Sequence, residues 1–115
     1  ICTNPDLVVH RGNKQEYCAG TLAEIFKELG GKVIYFGKPY PEIYNFCIKN
    51  NEKILVIGDN IKTDIKGANN MKLDSLFITR GVHKSEFLNL EVKNYDKVLD
   101  KYKVETNYYQ EKLMW

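Results

Sequence analysis

The sequence predicts an α/β fold: a partial, doubly wound (Rossmann-like) parallel sheet of about four strands with flanking helices. Three observations carry this expectation. Short apolar runs alternate with segments of about ten residues whose apolar positions recur at helical spacing, the pattern of βαβ units. One run, Ile54-Leu55-Val56-Ile57, is continuously apolar, as in a strand covered on both faces. The runs also stop at turn residues, notably Gly37, Gly58 and the pair Arg80-Gly81.

The elements follow in order. Asp6 to His10 reads as a short strand after the turn signal Asn4-Pro5-Asp6, and the polar residues 11–18 read as a loop. From Gly20 to Leu29, the residues Leu22, Ile25, Phe26 and Leu29 fall at i, i+3, i+4 and i+7, one face of an amphipathic helix that Gly30-Gly31 ends. Lys32 to Phe36 is the second strand. Pro41-Glu42 opens a second helix with Ile43, Phe46 and Cys47 as its apolar face. Proline suits a first turn, where its missing N–H has no helical partner, and Asn50-Asn51 closes the helix.

The third strand is Ile54–Ile57, and the helix after it carries Ile61, Ile65 and Ala68 on one side, with Asn69-Asn70 near its end. Leu73 to Thr79 forms a fourth strand. Tyr95, Val98, Leu99 and Tyr102 mark one more helix, and the aromatic-rich stretch from Asn107 to Trp115 is expected to cover the sheet. Parallel strands joined by right-handed crossovers place their carboxyl ends on one rim. Lys38 and Asp59 would then be near one another although distant in sequence.

Composition narrows the function classes. The chain has 115 residues, which suits a single small domain over 1–115. Its 17 basic and 15 acidic side chains leave no electrostatic footprint for nucleic acid or membrane, and neither is expected as a partner. The three cysteines, Cys2, Cys18 and Cys47, are odd in number and lack CxxC spacing. They fit a reducing cytoplasmic setting and packing as small hydrophobes, with no zinc or disulfide framework. No apolar run approaches the roughly 18–20 residues of a membrane span. The chain opens on Ile1, as expected if residues were removed from its front or if it is a piece of a larger protein.

The segment Gly58-Asp59-Asn60-Ile61-Lys62-Thr63-Asp64 holds the chemistry. A carboxylate placed just past a strand end, after a glycine that permits a tight turn, is where a hard cation and a phosphate are held. Asp59 and Thr63 equally suit a helix cap, and this segment alone leaves both readings open. Lys38 fails the P-loop test. The position five before Gly37 is Lys32, Gly31 falls one place too early, and Pro39 replaces the metal-binding hydroxyl. A G-x-G-x-x-G fingerprint is also absent. What remains is a lysine between Gly37 and Pro39, held extended by the proline. It is either a fixed positive charge on the rim or an ordinary solvated lysine. His10 and His83 lie near strand ends with no recognisable His/Asp/Ser set, so satisfied or solvated histidines are the expectation.

Taken together, Gly37-Lys38-Pro39, a helix, a strand, and Gly58-Asp59 with Thr63-Asp64 resemble the haloacid dehalogenase (HAD) superfamily. The resemblance is to its capped class-IIA branch of nucleotidases and para-nitrophenyl phosphatases, over about the C-terminal third of such an enzyme. Thr3-Asn4-Pro5-Asp6 is similar to the segment where that branch returns from cap to core, and Cys18-Ala19-Gly20 to its small-residue turn into a helix. The resemblance implies a role for each matching residue. Lys38 neutralises the nucleophilic carboxylate and the transferring phosphoryl oxygens. Asp59 and Asp64 form the Mg²⁺ pair, Asp59 ligating directly or through water and Asp64 supporting metal-bound water or Lys38. Gly58, Asn60 and Thr63 support phosphate and metal, and Asn4 and Asp6 face the substrate at the cap hinge. The implied substrate is a small phosphorylated metabolite.

The departures are specific. No Asp-x-Asp-Gly nucleophile loop, no second Ser/Thr motif and no cap occur in the sequence, and Tyr40 stands where the family more often has a small polar residue or histidine. Without that aspartate there is no aspartyl-phosphate step. The expectation is therefore the C-terminal segment of a Mg²⁺-dependent HAD-type phosphatase, inactive alone, whose partner is its own missing N-terminal part or a second copy. The competing expectation is a non-catalytic α/β module, or a subunit that completes an active site in trans.

Overall fold

A computed structural model describes residues 1–49 and 53–114, in two compact units, Ile1–Ile48 and Lys49–Trp115. The expectations for the His10 side chain, for Asn50-Asn51 as a helix stop and for Trp115 lie outside the described residues.

In the first unit, strand β1 (Val8–Arg11) pairs antiparallel with β2 (Lys14–Tyr17), from Val8 opposite Tyr17 to Arg11 opposite Lys14. The intervening Gly12 takes φ 61°, the left-handed conformation that two-residue hairpin turns require. This corrects the expected parallel strand over 6–10 and loop over 11–18. The strand expected over 32–36 is also corrected, to a single parallel bridge between Cys2 and Tyr35. Cys2 N–H donates to Ile34 O and Phe36 N–H to Cys2 O, both at 2.8 Å. The bridge stops there because Thr3 to Asp6 turns away, with Asp6 N–H folded back onto Asn4 Oδ1, and Pro5 has no N–H to offer a ladder.

Helix α1 (Ala19–Glu28) forms as its periodicity predicts, and Gly30 follows it at φ 88°. Its packed side is the small one. Gly20 and Ala23 are buried, and a Cβ at Gly20 would overlap the carbonyls of Pro5 and Asp6. The apolar face is exposed, with Leu22 at 69% and Leu29 at 80%. Helix α2 (Pro41–Cys47) starts on its proline as expected. Its face is likewise open, with Phe46 at 89%. Cys2 is buried, but Cys47 is exposed and does not pack as a core hydrophobe.

The second unit holds a three-stranded parallel sheet in the order β3 (Leu55–Gly58), β4 (Asp74–Ile78), β5 (Tyr108–Gln110). A π-helical turn (Ile61–Ile65) and helix α3 (Lys66–Met71) cross from β3 to β4. Helices α4 (Lys84–Phe87) and α5 (Tyr95–Tyr102) lie between β4 and β5. Ile61, Ile65 and Ala68 are fully buried, as the spacing predicts. Ile61 and Ile65 form one cluster with Phe77, Phe87, Tyr95, Val98, Leu99 and Val104, and an aromatic chain, tilted between Phe77 and Phe87 and edge-to-face beyond, runs on to Tyr95 and Tyr109. Because Ile65 is sealed in this core, Ile65→Val is expected to cost about 1 kcal/mol in urea unfolding.

Two expectations for this unit change. The segment after Asn107 does not cover the sheet but extends it, through Leu76 opposite Tyr108 and Ile78 opposite Gln110. Strand β3 is not buried on both faces. It is an edge strand of its sheet, and Leu55 and Ile57 are each 45% exposed. Among the described residues no helix is long and apolar enough to cross a membrane.

Candidate functional site

Strand β3 delivers Gly58 to the carboxyl edge of its sheet, and Asp59 and Asn60 make the turn into the π-helical segment. Asn60 O accepts from both Asp64 N–H (2.9 Å) and Ile65 N–H (3.3 Å), which widens this first turn. The widened turn sends the Asp64 side chain back toward the strand end. Its Oδ2 accepts from the backbone N–H groups of Asp59 (3.2 Å) and Asn60 (3.0 Å). Asp64 is 5% exposed and Thr63 7%, so these two polar residues lie inside the fold.

The helix cap is Asn60, whose Oδ1 accepts from Lys62 N–H at 3.0 Å. Asp59 is not spent on capping. Its Oδ2 accepts from Val82 N–H at 3.1 Å, across from the turn after β4. Among the described residues Asp59 Oδ1 carries no hydrogen bond. Two glycines make this geometry possible. A Cβ on Gly58 would overlap the Asp64 side chain, and a Cβ on Gly81 would overlap the Asp59 carboxylate.

In the first unit, the segment 3–6 and the lysine loop meet. Gly37 is buried against Thr3 O and the Pro5 ring, which places Asn4 to Asp6 beside the loop that presents exposed Lys38. The Lys38-Pro39 bond is cis, and Tyr40 N–H closes the turn onto Gly37 O at 3.0 Å. Tyr40 does not cap α2. It stacks on Tyr35 with centroids 4.8 Å apart, and the Tyr35 phenol, donating to Glu24, is pushed up to about 12. The structure thus gathers Asn4, Asp6 and Lys38 in one unit, and Gly58, Asp59, Asn60, Thr63 and Asp64 in the other.

Beside Asp59, the sequence marks Arg80-Gly81 as a strand-end turn but shows neither the Val82 contact nor the Glu86–Tyr102 pair. His83, expected to be satisfied or solvated, is instead buried with one ring nitrogen unpartnered among the described residues. His83 is 7% exposed. Its Nδ1 lies 2.6 Å from Glu86 Oε1, while its Nε2 is buried with no partner among the described residues. Tyr102 OH donates to both Glu86 oxygens at 2.9 Å. Burial opposes the charge of Glu86, but the hydrogen bonds from His83 and Tyr102 outweigh it and hold the carboxyl below its ordinary 4.5. The stability Glu86 adds is therefore complete above about 4.5 and fades as pH falls through the lower folded-state value. Thermal unfolding should show a gap between the native chain and Glu86→Gln at neutral pH that narrows in acid.

The family profile described as HAD-hydrolase-like matches residues 35–104, more than half of the chain. The chain belongs to the HAD-like hydrolase family. It is 33% identical over 86 residues to the ribonucleotide monophosphatase NagD of Escherichia coli K12, covering 71% of this chain and 34% of that protein. A haloacid dehalogenase-like hydrolase from Brucella suis superposes with TM-score 0.63 at 41% identity, over 70% of this chain and 33% of the other. A thermostable NPPase (double mutant) from Geobacillus stearothermophilus superposes with TM-score 0.67 at 27% identity, over 92% and 39%. These relatives place it in the class-IIA branch, and the chain spans about a third of their length. As a HAD-like hydrolase segment, it presents Gly58-Asp59-Asn60 as one loop fixed by Asp64. Among the described residues no group of three or more His, Cys, Asp or Glu is placed to hold a metal ion. The donor set fits a cation at one vertex, Asp59 Oδ1, as suits a metal that takes one or two carboxylates and completes its shell with water and phosphate.

Proposed function

We propose that this chain is the C-terminal core segment of a Mg²⁺-dependent phosphomonoester hydrolase, with the nucleophilic aspartate supplied by polypeptide outside the 115 residues. The observation that carries the reading is the divided use of the two carboxylates. Asp64 Oδ2 is spent on two backbone amides, while among the described residues the one side-chain hydrogen bond of Asp59 goes to Oδ2, leaving Oδ1 without one. Asp59 is only half-buried, so this oxygen is open to water or to a cation. In this reading Asp59 holds Mg²⁺, Asp64 fixes the loop, and Gly58, Asn60 and Thr63 give it its shape. Lys38 neutralises phosphoryl oxygens, and Asn4 and Asp6 meet the substrate. When bound, the metal supplies charge neutralisation of the phosphoryl group, the main requirement of phosphoryl transfer. The substrate class, a small phosphorylated metabolite, is supported by the relatives named as ribonucleotide monophosphatase and NPPase. Specificity within that class lies with the cap.

The test is a phosphatase assay of the chain with Mg²⁺ and para-nitrophenyl phosphate. The expected result is no turnover by the chain alone, and turnover sensitive to Lys38→Ala and Asp59→Ala once an Asp-x-Asp-Gly segment is supplied. Robust turnover by the chain alone, lost in Asp59→Ala, would show that the nucleophile lies within the chain. A second reading, a non-catalytic module that binds a partner or completes a site in trans, is favoured by the open apolar face of α1 at Leu22, Ile25, Phe26 and Leu29. Size-exclusion chromatography separates the two. Self-association, or dependence on an upstream polypeptide, supports a docking role, and a clean stable monomer argues against it.

A further inference from the structure

We propose that the turn after β4 is a positioning device for Asp59, and that Tyr102, through Glu86 and His83, sets that turn. The inference rests on the metal-holding reading of Asp59 and adds residues that no motif of the family resemblance named.

The Asp59 carboxylate is asymmetric. Val82 N–H binds Oδ2 at 3.1 Å, and Gly81 approaches so closely that a Cβ would overlap the carboxylate. One oxygen is therefore tied and walled in, and rotation about the Asp59 side chain is stopped on that side. Oδ1 is left in a fixed direction, which is what a cation with near-octahedral demands needs from its one anionic protein ligand.

The turn is held at both ends. On the β4 side, Thr79 N–H donates to Gln110 O (2.9 Å) and Arg80 N–H to Glu111 O (3.1 Å). On the α4 side, His83 directly follows Val82. Its imidazole is clamped by Glu86 and stands edge-on to Tyr102, with centroids 5.4 Å apart. Burying an imidazole with one nitrogen unsatisfied costs stability, so the cluster is a poor choice as mere core filling. Tyr102 also reaches the other side of the Asp59 loop. Lys62 Nζ lies 5.9 Å from its ring centroid, and Lys62 N–H is the group capped by Asn60. One tyrosine on α5 thus lies against His83, which follows the turn, and beside the side chain of Lys62, whose backbone N–H is capped by Asn60.

The test uses the 115-residue chain and its backbone amide resonances, with Mg²⁺ as the probe. Tyr102→Phe keeps the ring and removes the hydroxyl that anchors Glu86. It should lower the exchange protection of the Val82 amide in the metal-free chain and weaken Mg²⁺ binding at Gly58–Asn60 by up to about 10-fold, the low end for a group bonded directly to a metal ligand, because Tyr102 acts through Glu86 and His83. Val104→Ala, in the same core, controls for stability loss alone and should leave the Mg²⁺ affinity unchanged. Equal Val82 protection and equal affinity in Tyr102→Phe and the native chain would overturn the proposal. So would an affinity loss in Val104→Ala as large as that in Tyr102→Phe. A native chain whose Gly58–Asn60 amides ignore Mg²⁺ would instead overturn the metal reading beneath it, whatever Val82 does.

Discussion

Asp64→Ala is expected to destabilise the second unit by about 3 kcal/mol, because it leaves two backbone amides without their charged acceptor. The Asp59 and Asn60 N–H groups both point at Asp64 Oδ2, and the residue itself is 5% exposed, so water cannot simply take its place. Urea unfolding checks this. Asp64→Asn keeps an acceptor oxygen of the same reach and should recover part of the loss. A fall in Asp64→Ala no larger than that of an exposed control such as Asp74→Ala would show that the loop does not depend on this carboxylate.

Gly58→Ala is expected to act through the same contact and to cost nearly as much. An added Cβ would overlap the Asp64 side chain, which can give way only by releasing the two amides it binds. Overpacking of this kind costs about 1–3 kcal/mol, and the upper end applies because a buried charge must move. The two changes should be less than additive. With Asp64 cut back to alanine the overlap with its carboxylate is relieved but the overlap with its Cβ remains, so the double variant should fall below Asp64→Ala while losing less than the sum of the two. Simple additivity would mean that Gly58 is there for another reason.

The legible parts of this chain were those where local pattern and burial use the same period. Ile61, Ile65 and Ala68 were placed on one face by spacing, and all three are sealed in the core. Tyr95, Val98 and Leu99 behave alike on α5. The hairpin was legible but passed over. Gly12-Asn13 is a two-residue turn signal, masked because β2 is Lys14-Gln15-Glu16-Tyr17, without apolar alternation and exposed throughout. Residues 32–36 have strand-forming composition, but a strand also needs a partner, and among the described residues only Cys2 supplies one. On α1, periodicity identified the apolar stripe correctly and said nothing about what covers it.

The candidate site divides in the same way. The motif spacing singled out Asp59 and Asp64, since a carboxylate one turn into a helix can reach back to the strand end. It could not assign the cap to Asn60, because Asp, Asn and Thr all cap and three of them crowd this segment. Nor could it find the bond from Val82 to Asp59, which spans 23 residues and exists only once β3 and β4 pair. Gly81 was visible as a strand-end glycine. Its purpose became visible only as the space the Asp59 carboxylate fills.

The account stands on Asp59 Oδ1 being kept for a cation, and a Mg²⁺ titration followed through backbone amide resonances tests that directly. The native chain should show saturable shifts centred on Gly58, Asp59, Asn60 and Val82. Asp59→Ala, which gives up a single backbone hydrogen bond and should stay folded, should show none. Identical titrations of the two chains, or a native chain that does not respond at all, would contradict the account.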